Sequence, residues 1–141
     1  MAVIVHYEIP FHDIDSLGIV WHGHYYKYFE LARTALYRSL SLDVDDIDSV
    51  GLVFPVIESR CRYRESLRYG QKVEIGARFR EWEYYILIEY EIHEIESGKR
   101  AAYGFTKQVV CDRNGKLQQH VPENIVGTIS GHVSKAMGNT A

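Results

Sequence analysis

One long stretch of this chain stands out for carrying its apolar residues at helical spacing, against several long stretches that alternate with period two. Tyr25, Tyr28, Phe29, Ala32, Leu36 and Leu40 recur every three to four residues, with Lys27, Glu30, Arg33, Thr34 and Arg38 mostly between them. The spacing predicts one helix over 24–40. Glu30 stands three and four residues before Arg33 and Thr34, which suits an exposed stripe. Leu31 and Ala35 broaden the apolar face, so burial on more than one side is expected.

Five alternating runs stand against that single helix. Val3, Val5, Tyr7 and Ile9 alternate with Ile4, His6 and Glu8 ahead of Pro10. Ile57, Cys61 and Tyr63 alternate with Glu58, Arg60, Arg62 and Arg64. Val73, Ile75, Ala77 and Phe79 alternate with Lys72, Glu74, Arg78 and Arg80, and Tyr84, Ile86, Ile88, Tyr90 and Ile92 with Glu89, Glu91 and His93. Ala101, Tyr103, Phe105, Val109 and Cys111 mark the last strand face. Turn signals separate them at Tyr69-Gly70-Gln71, at Ser97-Gly98-Lys99 and at Asn114-Gly115, where residues that tolerate positive φ cluster. The acidic stretch 41–52 predicts a single helical turn capped by one of its aspartates.

The expected architecture is therefore α+β: one long helix against an antiparallel sheet of about five strands, in the order strand, helix, meander. One helix covers one face of such a sheet. A 13-residue strand is about 40 Å long at about 3.3 Å per residue, which leaves edges and a face that self-association usually covers. A homodimer or homotetramer is expected. The folded domain is placed at 1–126, and residues 127–141, rich in Gly, Ser and Thr, are expected to be a frayed tail.

A length of 141 residues is that of one domain. The net charge of -3 argues against nucleic acid as the main partner, since phosphate backbones call for a basic face. No run approaches the roughly 18 apolar residues of a membrane span. The apolar run Met1 to Val5 is too short for a signal peptide and has no basic residue ahead of it. The cytoplasm is the expected compartment, with Cys61 and Cys111 reduced and acting as small hydrophobes.

The polar chemistry concentrates in 11–24, FHDIDSLGIVWHGH, which holds three of the seven histidines and two aspartates. Three chemistries compete for it. Asp13, Asp15 and Gly18 match the first half of a calcium loop, but Leu17 and His24 stand where oxygen ligands are needed. His22 and His24, with His12 and the aspartates nearby, offer transition-metal ligands at a spacing that fits no zinc pattern. The third is acyl chemistry: a carboxylate ahead of a helix N-terminus, whose free N–H groups form an oxyanion site, with Gly18 and Gly23 allowing close backbone approach.

The run D-x-D-x-x-G-I-V-W-H-x-x-Y, continued as Y-F-E-x-A-R at 28–33, resembles the hotdog-fold acyl-CoA thioesterases, of the 4-hydroxybenzoyl-CoA type and its Tol-Pal-associated relatives. The strand, long helix, meander order matches, over residues 3–125. The resemblance implies a hotdog fold and hydrolysis of an acyl-CoA thioester to acid and CoA, with no metal or organic cofactor. It implies that Asp15 is the catalytic carboxylate, as general base or nucleophile. It implies that the backbone N–H at His22 polarises the thioester carbonyl. Trp21 and Tyr25 are secondary substrate-contact candidates; Tyr25 otherwise packs as the first apolar residue of the helix. Asp13 is read as structural. After Glu81-Trp82 this chain has Glu83-Tyr84-Tyr85 where the benzoyl-CoA enzymes are basic, so those phosphate contacts do not carry over. Arg60, Arg62 and Arg64 form a stripe whose ordinary reading is cross-strand pairing with Glu74, Glu89 and Glu91, with phosphate binding as the alternative. Other outcomes for such a site are enoyl thioester hydration or dehydration, acyl carrier protein substrates, or thioester binding without turnover.

Overall fold

The computed structural model describes residues 3–138. Residues 139–141 of the expected tail, with Met1 and Ala2 of the apolar N-terminal run, lie outside the described residues. The chain runs β1 (Val3–Glu8), α1 (Tyr25–Ser39), α2 (Val44–Ser49), β2 (Leu52–Val53), β3 (Val56–Tyr63), β4 (Lys72–Glu81), β5 (Ile86–Glu94), β6 (Arg100–Gln108), β7 (Cys111–Asp112) and α3 (Glu123–Gly138). Five strands form one antiparallel sheet in the order β1-β4-β5-β6-β3, and β2 pairs with β7 apart from it. This is the hotdog arrangement, with α1 lying along the inner face of the sheet.

α1 buries Tyr25, Tyr28, Phe29, Ala32, Leu36 and Tyr37, the positions its helical period predicts plus Tyr37. They pack on Val73, Ile75, Ala77, Ile86, Ile88 and Ile92 of β4 and β5, all of them fully buried. Leu31 departs from expectation. It is 37% exposed and shares the solvent side of α1 with Lys27, Glu30 and Arg38, because one sheet covers one flank of the helix and nothing described covers the other. α2 is the expected single turn: Asp43 caps it, accepting from Val44 N–H at 2.8 Å, while Asp46 accepts from Asp43 N–H at 3.0 Å.

β6 presents the opposite face from the one its large residues suggest. Ala102, Gly104, Thr106 and Gln108 face the core, in register with Ile92, Tyr90, Ile88 and Ile86, while Tyr103 and Phe105 lie outside. The cause is the ring of Phe29, stacked on Tyr90 with centroids 4.6 Å apart and planes within 8°. A side chain at Gly104 would sit on the Arg60 carbonyl and 3.0 Å from Phe29 Cε2. The polar core positions are satisfied: Thr106 Oγ1 lies 2.6 Å from Tyr90 Oη, Tyr37 Oη donates to Gln108 Oε1 at 2.5 Å, and Gln108 Nε2 donates to the Phe54 carbonyl at 2.8 Å.

The frayed tail placed at 127–141 is corrected by α3, which continues the fold through residue 138. Ile125 and Ile129 are buried, Val133 packs beside them, and Trp82 Nε1 donates to Ser130 Oγ at 2.9 Å. Four-residue spacing of three β-branched residues outweighs the poor helix propensity of Gly127 and Gly131. Among the described residues no helix is long and apolar enough to cross a membrane.

A buried carboxylate ties the segment ahead of α1 to the helix. Asp13, 1% exposed, accepts from Lys27 Nζ and from Tyr28 Oη, each at 2.7 Å. His12 and His24 stand 3.6 and 3.8 Å from the same carboxylate. Burial alone would raise the Asp13 carboxyl. The hydrogen bonds from Lys27 and Tyr28 and the charges of Lys27 and His24 outweigh it and hold the group below the usual aspartate range.

Two stability measurements follow. Gly104→Ala should lose about 1–3 kcal/mol in urea unfolding, because the core must shift β3 or the Phe29 ring to admit one methyl; an unchanged midpoint would mean the close approach is not tight. Asp13→Asn should lose about 1–3 kcal/mol at neutral pH. A depressed folded pKa contributes stability that is complete above the unfolded value near about 3.9 and disappears as pH falls through the folded value. The gap between wild type and Asp13→Asn should therefore narrow below about pH 4, and a gap constant with pH would contradict the buried charge.

Candidate active site

Asp15 sits at the start of a three-residue loop that closes a miniature hairpin. Ile14 bridges Val20, Asp15 N–H donates to the Ile19 carbonyl at 2.8 Å, and Gly18 N–H donates to the Asp15 carbonyl at 3.0 Å. Gly18 has φ +78°, as a type I turn followed by a left-handed residue requires. The Asp15 side chain caps the turn, since its Oδ1 accepts from Leu17 N–H at 2.8 Å. No hydrogen bond to its Oδ2 is formed among the described residues. One oxygen of Asp15 thus serves the turn, and the other is left without a hydrogen bond among the described residues.

The hairpin is anchored on two sides. Val20 N–H donates to the Leu67 carbonyl at 2.8 Å, just beyond β3, and Trp21 N–H donates to the Asp13 carbonyl at 3.0 Å. Asp13 therefore fixes the base of the hairpin from the helix side, through backbone and carboxylate together.

Residues His22–His24 form one 3₁₀ turn that runs into α1, and no side chain caps the helix there. His22 and His24 are therefore not extended side by side; their rings flank Trp21 at 5.2 and 5.3 Å. The Trp21 ring lies across Gly23, where any Cβ would collide with it. That packing accounts for the glycine.

A cleft of about 230 Å³ brings Asp15, His22 and Tyr25 together with Tyr63, Arg64 and Glu65. Trp21 is not part of its lining; it is 47% exposed, with its ring against Gly23. Tyr25 is buried, its ring 4.9 Å from Tyr63 in an edge-on contact. Tyr63, at the end of β3, was read from sequence only as an apolar strand position. Its Oη donates to the His22 carbonyl at 2.9 Å and so fixes the turn that carries the helix N-terminus. Burial pushes the phenols of Tyr25 and Tyr63 each up to about 12, so both are protonated donors at neutral pH.

Cys61 is half-buried, with burial pushing its thiol up to about 11, and Cys111 is buried; both are unpaired. The expected pairing of the β3 arginines with Glu74, Glu89 and Glu91 does not form. Glu74 pairs with His6, Glu89 with Arg78 and Arg80, and Glu91 with Arg100. Those acids face nearer cations on their own or adjacent strands, which leaves Arg60 and Arg62 aside. Among the described residues, no three His, Cys, Asp or Glu side chains are gathered at metal-binding distance.

Comparison with known proteins gives the same class. The family model of the thioesterase-like superfamily matches residues 9–129. The Synechocystis sp. protein named "Putative esterase sll0410" is 31% identical over 114 residues, which span 79% of this chain and 68% of that protein. The Bacillus subtilis protein named "Putative acyl-CoA thioesterase YneP" is 33% identical over 64 residues, 45% of this chain and 46% of its own length, so the match spans about half of that relative. Among solved structures, a 1,4-dihydroxy-2-naphthoyl-CoA thioesterase from Synechocystis superposes with a TM-score of 0.81 at 18% identity, over 91% of this chain and 95% of that one. With the strand order, the helix and the motif region all inside the matched span, the chain is a hotdog-fold member of the thioesterase-like superfamily.

Proposed function

We propose that this protein hydrolyses acyl-CoA thioesters to a free carboxylic acid and CoA, with Asp15 as the catalytic carboxylate. The observation that carries this reading is the cleft that Asp15, one oxygen tied to Leu17 N–H, shares with His22, the first residue of the 3₁₀ turn leading into the uncapped α1, and with Tyr25, the first residue of α1. The first N–H groups of a helix have no acceptor within it and are free to meet the charge that develops on a thioester oxygen. With the carbonyl polarised there, Asp15 either draws a proton from attacking water or attacks the carbonyl carbon itself, forming an anhydride that water then hydrolyses to the free acid; in both routes the thiolate leaves and takes up a proton. Tyr63 holds the His22 turn in place through the opposite edge of the same peptide segment. Tyr25 forms the cleft floor, and Trp21 stands outside the cleft as a contact only for a longer substrate. Membership in the superfamily and the name of the Bacillus relative support a CoA ester as substrate.

The cleft lies beside β3, an edge strand whose residues are nearly all exposed, with Ile57 and Tyr63 presenting apolar surface there. A second copy against that edge would cover the apolar surface and exclude water from the site, which supports a homodimer or homotetramer. The two unpaired cysteines suit the reducing cytoplasm.

The test is thiol release from a panel of short, long and aromatic acyl-CoAs. Asp15→Asn should reduce turnover by about 10²–10⁴-fold with an unchanged unfolding midpoint; turnover that survives the substitution would remove Asp15 from the chemistry. Sedimentation velocity at micromolar concentration should show at least a dimer, and a monomer that turns over at full rate would remove the second copy from the site.

A further inference from the structure

The run Y-F-E-x-A-R at 28–33 ends on an arginine that the mechanism above does not use. Arg33 stands one turn after Phe29 and one turn before Tyr37 on α1, so the three share one flank of the helix. Their neighbours show where that flank points: Phe29 stacks on Tyr90 of β5 above Gly104 of β6, and Tyr37 Oη donates to Gln108 of β6. Burial raises the Tyr90 and Tyr37 phenols, and the Arg33 charge beside them pulls each back, with a hydrogen bond from Arg33 at Tyr90. Arg33 is half-buried, and among the described residues no carboxylate lies within ion-pair distance of it. Glu30, one turn earlier, lines the groove on the opposite flank with Leu31 and Thr34. The hydroxyls nearby are spent on other partners, Tyr90 on Thr106 and Tyr37 on Gln108. A guanidinium carries five N–H donors and no acceptor, and taking it part-way out of water without an anion is unfavourable.

A route leads from Asp15 to Arg33 along the inner face of β3. Tyr63, Cys61 and Ser59 stand in register with Ala102, Gly104 and Thr106 of β6, so their side chains share the side of the sheet that carries α1. β3 is the last strand of the sheet, and Ser59 and Tyr63 are exposed there while Cys61 is half-buried. Tyr63 begins the route, since it lines the Asp15 cleft with Tyr25. Arg33 ends it, eight residues along α1 from Tyr25, which is about 12 Å of helix. An acyl chain of medium length, with its carbonyl at Asp15, would bring its far end to the guanidinium.

We propose that Arg33 sets the acyl specificity of this site by pairing with a carboxylate at the far end of the acyl chain, so that the substrate is the CoA monothioester of a dicarboxylic acid. The planar guanidinium suits the task because its paired N–H donors match both carboxylate oxygens at once. A methyl terminus at the same place would leave the cation without a partner and displace the water that solvates it. The proposal rests on the acyl-CoA hydrolase reading above and adds the class of acyl group.

The experiment compares suberoyl-CoA with octanoyl-CoA, whose acyl groups have the same length and differ in the terminal carboxylate alone. Thiol release by the full chain gives kcat/KM for each ester, and the ratio of the two within one preparation does not depend on how much of it is folded. Wild type should favour suberoyl-CoA by about tenfold or more. Arg33→Met should bring the ratio to about one or reverse it, and Arg33→Lys, which keeps the charge without the fork, should fall between. Arg38→Met, on the opposite flank of α1, should keep the wild-type ratio. A wild type without the preference, or an Arg33→Met variant that retains it, would overturn the assignment. So would an Arg33→Met variant that retains the ratio while an oligomer dissociates in sedimentation velocity, which would give the guanidinium to an acid of a neighbouring copy. Calorimetric titration of Asp15→Asn with both esters separates the two readings. Tighter binding of suberoyl-CoA that is lost in Asp15→Asn/Arg33→Met, with no thiol release from either ester by wild type, keeps the role of Arg33 and removes the hydrolase. Release from both esters at equal kcat/KM keeps the hydrolase and removes the role of Arg33.

Discussion

The stack of Phe29 on Tyr90 above Gly104 is the contact on which the rest of the structure turns. It seats α1 on the inner face of the sheet where β5 passes to β6, and it leaves no room for a side chain on the β6 residue beneath. That decides which face of β6 looks inward, and β6 in turn positions β3. Tyr63 then ends its strand beside the start of α1, close enough for its hydroxyl to reach the His22 carbonyl. Reversing the face of β6 would put Tyr103 and Phe105 against the helix, overfill the core and strand the hydroxyl of Tyr90 without Thr106. A core contact more than a strand's width away thus sets the geometry of the cleft.

Asp13 shows how a single buried charge can be structural without being inert. An aspartate removed from water with no partner would be severely unfavourable. Here it has two short hydrogen bonds and a cation, so the ionised form is the stable one. The interaction is specific in direction, because Lys27 and Tyr28 are consecutive on α1 and can reach only a carboxylate lying across the first turn of the helix. Two residues later in the chain, Asp15 is delivered to the cleft by the same backbone. The pair D-x-D therefore divides its work: the first carboxylate fixes where the loop lies, and the second caps the turn with one oxygen and keeps the other without a hydrogen bond among the described residues.

Most of the fold was legible in the sequence, and the misses have identifiable causes. The helix predicted over 24–40 is Tyr25–Ser39, and the five strands, the capped turn at Asp43 and the turns at Gly70, Gly98 and Gly115 are where alternation and turn chemistry put them. The face of β6 was not legible, because side-chain size favoured Tyr103 and Phe105 for the core and the buried partners of Thr106 and Gln108 lie on other elements. The C-terminal helix could have been found: Ile125, Ile129 and Val133 recur at four-residue spacing, a signal masked by Gly and Ser. In the site, Asp15, His22 and Tyr25 are brought together as the motif suggested, and Trp21 is not. Tyr63 carried no sequence signal, since an alternating tyrosine in a strand looks the same whether its hydroxyl meets solvent or a carbonyl 41 residues away.

The energetics of the cleft bear on why such a site belongs at the edge of a sheet. A hydrogen bond made in contact with water contributes about 0.5–1.5 kcal/mol net, because the competing bonds to water are nearly as good. An oxyanion donor in a water-excluded site contributes about 2.7–4 kcal/mol. On the proposed mechanism, the N–H groups where the His22 turn enters α1 would reach the larger value only if the open side of the cleft is closed. Among the described residues nothing closes it: β3 offers an unpaired edge, and His22 is exposed. Closure by substrate alone would protect the carbonyl only while a large acyl group is bound. Closure by a second copy would protect it for any acyl group, and would leave acyl preference to the walls rather than to the donor.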